Sequence, residues 1–210
     1  MPKGELVPSA LPTVKIEMVS EPEPPVDQHE SILFETTDTT NYMELIVMAL
    51  SENNLHEANT LNELRNQKLR VEDARHCEIS VEDLYLIAKV IEAEAGSSWL
   101  SDEHQLMVGS VLLNRVNSPE FPNTVTECVY QKGQYYSETN TFFAGIIPSI
   151  RAIENALLLL EHGSIAPAEV VFQSNFKQGS GVYMVIEDDY LKTSYFCFSS
   201  YPDLYINTED

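Results

Sequence analysis

Two glutamates, Glu92 and Glu94, close an apolar run that ends in a glycine, in the stretch Ile91-Glu92-Ala93-Glu94-Ala95-Gly96. A carboxyl half-covered by aliphatic side chains loses hydration in its charged form, so its pKa rises and it can hold a proton near neutral pH. That is the requirement for a general acid. Leu84, Ile87, Ala88, Ile91 and Ala95 fall on one stripe at about 100° per residue, and the two glutamates lie on its opposite edges. Periodicity does not choose between them. Glu94 is favoured by its place in the last turn, over Val90 and Ile91 and beside Gly96, where a missing side chain would let a ligand approach. The plain alternative is one more solvated glutamate on an acidic protein.

A second group of chemistry-bearing residues follows Gln131-Lys132-Gly133. Gln134, Tyr135 and Tyr136 offer flat apolar faces and an amide, the equipment that holds sugars and acetamido groups; the alternative is a β-turn with packed aromatics. Gln173 and Asn175 are expected on the opposite wall of a groove, and Trp99, the only tryptophan, is either a sugar-stacking platform or a core plug. Arg115 reads as a tie between a loop and a helix end rather than a partner of Glu94. No cofactor and no metal are expected. The three cysteines lack metal-ligand spacing and read as free and buried, with a Cys128–Cys197 bridge left open, and the five histidines are scattered.

The elements that must position these residues are legible from caps and periodicity. Ser80 with Asp83 starts one helix, and Ser101 with Asp102 and Glu103 starts a second carrying Met107, Val108, Val111, Leu112 and Val116. Pro119 and Pro122 fix the next loop, Thr124 to Tyr130 is a short helix, and Ser149 to His162 is a third, with Ile150, Ile153, Leu157 and Leu160 on one face and Gly163 as its stop. Val170 to Phe176, Lys177 to Tyr183 and Tyr195 to Phe198 read as two or three short strands, with Gln178-Gly-Ser-Gly serving a turn.

Upstream, residues 1–40 are rich in proline and predict an acidic disordered segment. Residues 41–78 predict a helical hairpin or an interrupted helix. It either docks a protein partner through 41–76 or packs on its own domain, where Tyr42-Met-Glu-Leu-Ile-Val-Met-Ala-Leu50 would otherwise leave an apolar patch. Residues 79–200 form the main domain, and 201–210 a tail. The whole reads as α+β, with a helical core and a small β-wing.

A chain of 210 residues with a formal net charge of −21 lacks the basic footprint that nucleic acid needs. No membrane span is expected, because no stretch approaches about 18 apolar residues. The start of the chain shows no basic-then-apolar secretory signal.

Five blocks in order resemble the SleB/CwlJ-type cell wall hydrolase family: Ala-Glu-Ala at 93–95, Leu-Asn-Arg-Val at 113–116, Phe-Pro-Asn-Thr-Val at 121–125, Val-Tyr-Gln-Lys-Gly-Gln-Tyr at 129–135 and Phe172 to Tyr183. The similarity spans roughly residues 80–198. It implies a lysozyme-like fold, peptidoglycan glycan strands as partner and substrate, Glu94 as the catalytic acid, and Gln134 with Tyr135 facing the cleft. Many members carry Arg-Gly-Glu after the Ala-Glu-Ala, where this chain has Gly96, Ser97 and Ser98, and a histidine near the last strand, where Ser194, Tyr195 and Phe196 stand.

Ordinary glycosidases use two carboxylates about 5 Å apart for retention or roughly 6.5 to 9.5 Å for inversion. Only one is singled out here. A single acid suffices if the sugar's own 6-hydroxyl replaces water, which is lytic transglycosylation with 1,6-anhydro ends. The alternatives are a hydrolytic muramidase or glucosaminidase, with Glu138 as second carboxylate, and a non-catalytic glycan-binding or coat protein. Synthesis in the cytoplasm and action at the wall or spore cortex by a route other than a standard signal complete the expectation.

Overall fold

Helix starts are set locally. The hydroxyls of Ser80, Ser101, Thr124 and Ser149 accept hydrogen bonds from the backbone N–H three residues on, at 3.2, 3.2, 3.2 and 3.3 Å. The computed structural model describes residues 39–72, 79–188 and 192–205, which fall within one unit, 38–210. The disorder expected for 1–40 therefore lies outside the described residues except at Thr39 and Thr40, which already open a helix. Cys77 and the last five residues of the expected tail also lie outside them.

The helices are α1 (Thr39–Ser51), α2 (Leu55–Glu72), α3 (Val81–Ala95), α4 (Asp102–Asn117), α5 (Val125–Tyr130), α6 (Thr141–Ala144) and α7 (Ile150–His162). The strands are β1 (Val170–Ser174), β2 (Val182–Asp188) and β3 (Lys192–Phe198), in an antiparallel sheet of order β1-β3-β2. This is an α+β fold with a helical core and a small β-wing. Both outer strands carry one extra residue against the Phe196–Phe198 end of β3, between Val170 and Phe172 and between Val182 and Met184. Such bulges bend a sheet.

The core forms where α3, α4 and α7 meet. Leu84, Ile87, Ala88, Ile91, Met107, Val108, Val111, Leu112, Ala152, Ile153, Ala156 and Leu159 are fully buried. A Cβ at Gly109 would overlap Leu159 Cδ1 and touch Ile91 Cδ1, so this glycine is what lets α4 approach α7. The buried face of α7 is rotated from the expected one: Ile150 is exposed and Leu157 and Leu160 are half-buried, because the two alanines and Leu159 make the close contact. Val116 is likewise only half-buried.

The hairpin α1–α2 turns at Asn53, whose φ of 60° is left-handed, and Tyr85 Oη donates to Asn53 Oδ1 at 2.5 Å. Asn62 Nδ2 donates to the Ile79 carbonyl at 2.8 Å. With Tyr42, Ile46, Leu50, Ala58 and Leu61 buried, its apolar side lies against its own domain. A 3-10 turn, Pro202–Tyr205, stands where a tail was expected; the Tyr205 hydroxyl meets Ser118 Oγ at 2.6 Å and donates to Glu120 at 2.8 Å. No helix among the described residues is long and apolar enough to cross a membrane.

Candidate functional site

The end of α3 is locked on both flanks of Glu94. Before it, Glu92 Oε2 accepts from the backbone N–H of Ser149 at 3.0 Å and from its hydroxyl at 2.6 Å, so that carboxylate holds the start of α7. After it, the Ala95 carbonyl accepts from Gln105 Nε2 at 3.0 Å, and Gln105 Oε1 accepts from Asn155 at 2.8 Å, all buried between α4 and α7. Glu94 is left half-buried between two fixed points. Its Oε1 accepts from the Tyr136 hydroxyl at 2.6 Å, and among the described residues its Oε2 takes no hydrogen bond. The structure thus separates the two glutamates that periodicity left equal.

Gly96 does not serve as an opening for a ligand, as its sequence context suggested. A Cβ there would overlap the Glu92 carbonyl oxygen and lie 2.5 Å from Glu92 Oε1, so the glycine makes room for the Glu92 side chain.

Residues 130–139 line an open trough of about 420 Å³; Glu94 is not on that lining but meets it through the Tyr136 hydroxyl. Gly133, at φ 81°, makes the tight turn, and the Gln134 and Tyr136 backbone N–H groups close it onto Gln131 at 3.0 Å and Val129 at 3.1 Å. Gln134 is exposed on that lining, whereas Tyr135 turns its hydroxyl inward, buried and without a hydrogen-bond partner. Burial raises the Tyr135 pKa, opposed by the Arg115 charge and aided by that of Glu94. Gln131, which sequence reasoning passed over, also lines the trough with a buried, unpartnered Oε1. Glu138 is exposed on the same lining.

Arg115 joins this loop to the wing. It is buried, donates from Nε to the Val171 carbonyl at 2.7 Å, and sits 5.0 Å from the Phe121 ring centroid and 4.8 Å from that of Tyr135. Asn114 beside it donates to the Pro167 and Val170 carbonyls at 2.7 and 3.0 Å. The Asn-Arg pair is therefore a fastener between α4 and β1. Gln173, two residues beyond Val171 on the same strand, is half-buried with its Oε1 unpartnered, and Asn175 is exposed past the strand end. Neither lines the trough, and nor does Trp99, which is 55% exposed and so not a core plug.

Cys128 and Cys197 are free and buried, which removes the bridge that spacing left open. Burial pushes the Cys128 thiol up to about 11, and its Sγ donates to the Pro122 carbonyl at 3.0 Å.

The geometry is that of a fixed, half-covered carboxylate with one oxygen engaged and one open, next to a trough of amide and phenol groups. Proton delivery to a bound ligand is the chemistry it can perform. No curated protein and no solved structure matches the chain. Residues 100–177, which hold the trough, Arg115, Gln173 and Asn175 but begin after Glu94, match the model of the cell wall hydrolase family.

Proposed function

We propose that the protein cuts peptidoglycan glycan strands, with Glu94 as the lone acid and base, by lytic transglycosylation. The observation that carries this reading is the Glu94 carboxyl, held by Tyr136 through Oε1 and open at Oε2, beside a trough within a stretch similar to cell wall hydrolases. Glu94 protonates the glycosidic oxygen as the C1–O bond breaks. It then takes the proton of the same sugar's 6-hydroxyl as that oxygen closes on C1, so the acid is regenerated and no water is consumed. Action at the wall or spore cortex follows from the substrate.

Purified peptidoglycan digested with the wild type and with Glu94→Gln tests it. Mass spectrometry is expected to find 1,6-anhydro ends with the wild type and none with the variant. Reducing ends instead would replace this mechanism with hydrolysis, for which Glu138 on the trough lining is the candidate second carboxylate. Binding without cleavage by the wild type would leave a glycan-binding protein and end the enzyme reading.

A further inference from the structure

Tyr136 is held more firmly than a sugar platform needs. Its backbone N–H is tied to Val129, and its ring lies parallel to Phe143, 4.2 Å between centroids and 6° between planes. Phe143 is itself fixed: it is 1% exposed, its N–H donates to Asn140 Oδ1 at 2.9 Å, and Tyr130 meets its edge at 6.2 Å. Lys89, buried in α3, lies 4.9 Å from the Phe143 centroid and donates to the Ala144 carbonyl at 3.1 Å. A ring clamped in this way gives its hydroxyl one direction, and that direction is Glu94 Oε1.

We propose that Tyr136 is a positioning residue for Glu94, occupying Oε1 so that Oε2 alone exchanges the proton with the substrate. Burial, and then the bond to Glu94, raise the phenol's pKa above the ordinary tyrosine range. Tyr136 therefore remains a donor wherever the enzyme works, and Oε1 is never the oxygen that hands over a proton. In a carboxyl free to turn, either oxygen could carry the proton and most orientations would present it off line to the bond being broken. A fixed donor removes that ambiguity before substrate arrives, which is preorganisation of the reacting group.

This role rests on the proposed glycan-cleaving function, and Tyr136→Phe tests the two separately. The variant keeps the ring on Phe143 and loses only the donor. If the role holds, kcat falls about 10- to 100-fold with KM within about two-fold, as expected for a misaligned reacting group.

A readout independent of turnover is the carbon-13 signal of the Tyr136 phenol carbon, identified by its loss in Tyr136→Phe. It should move when Glu94→Gln replaces the carboxyl acceptor. A phenol signal that does not respond to Glu94→Gln overturns the positioning role whatever the activity. A raised KM with kcat unchanged makes Tyr136 a sugar contact instead. A wild type that cleaves nothing, with the phenol signal still responding, sinks the enzymatic reading and leaves the pairing in place.

Discussion

Glu92 and Glu94 differ in what they touch rather than in where they lie on their helix, and a pair of substitutions should separate them. Glu92→Ala removes the acceptor for the Ser149 N–H and hydroxyl at the start of α7. A lost charged acceptor at a helix start is expected to cost about 1 kcal/mol in denaturant unfolding. Cleavage per folded molecule should stay within about three-fold of the wild type, well short of the loss typical of a missing general acid. Abolished cleavage in a folded Glu92→Ala protein would move the acid assignment to the other edge of the stripe. The choice could not be read from spacing because Ser149, the partner that decides it, lies in a different helix far along the chain. The same holds for Lys89, Gln105 and Asn155, whose buried side chains meet main-chain carbonyls or each other across long separations. Gln134, Tyr135 and Tyr136 were legible as a group, from an aromatic and amide cluster after a glycine turn. Their division of labour was not, because it depends on which phenol reaches which carboxylate.

At the level of elements, helix starts were readable because each cap bonds within three residues, and the strands because their residues alternate. What escaped was the position of β2, which begins at Val182 rather than Lys177 and runs to Asp188, and the rotation of α7 about its axis. Both are set by packing, the first by pairing with β3 and the second by Gly109 and the two alanines. The start of α4 offers a test of how α4 and α7 are joined. Arg151 Nε donates to Asp102 Oδ1 at 2.6 Å, Arg151 Nη2 donates to the Leu100 carbonyl at 2.6 Å, and Asn155 adds a bond to Asp102 at 3.2 Å. The bond from Arg151, then that from Asn155, holds the Asp102 carboxyl below the usual carboxylate range. A depressed folded pKa means that the contribution is present above the unfolded value, near 3.9 (about pH 4), and is lost as pH falls through the lower folded one. Arg151→Met should therefore lower the thermal midpoint at pH 7, and the gap to the wild type should narrow at about pH 3 and below. A gap that stays constant on acidification would mean that Arg151 acts through Leu100 alone.

For the whole molecule, a net charge of −21 bears on how the protein would meet peptidoglycan under the proposed function. Peptidoglycan carries carboxylates on its stem peptides, and an acidic protein approaching it is repelled over the distance at which charges are felt. That distance shrinks from about 30 Å at 0.01 M salt to about 8 Å at physiological strength. The trough itself is not strongly charged, with Lys132 and Glu138 both on its lining, so the repulsion belongs to the molecule rather than to the site. Digestion of purified peptidoglycan should then speed up several-fold as salt is raised over this range. The change should appear in kcat/KM and not in kcat, since screening aids encounter and leaves proton transfer alone. Thermal stability should rise over the same range, because screening also relieves the chain's repulsion of itself. A cleavage rate that falls with added salt would show that some cationic surface captures the polymer, and would overturn the repulsion argued from the net charge.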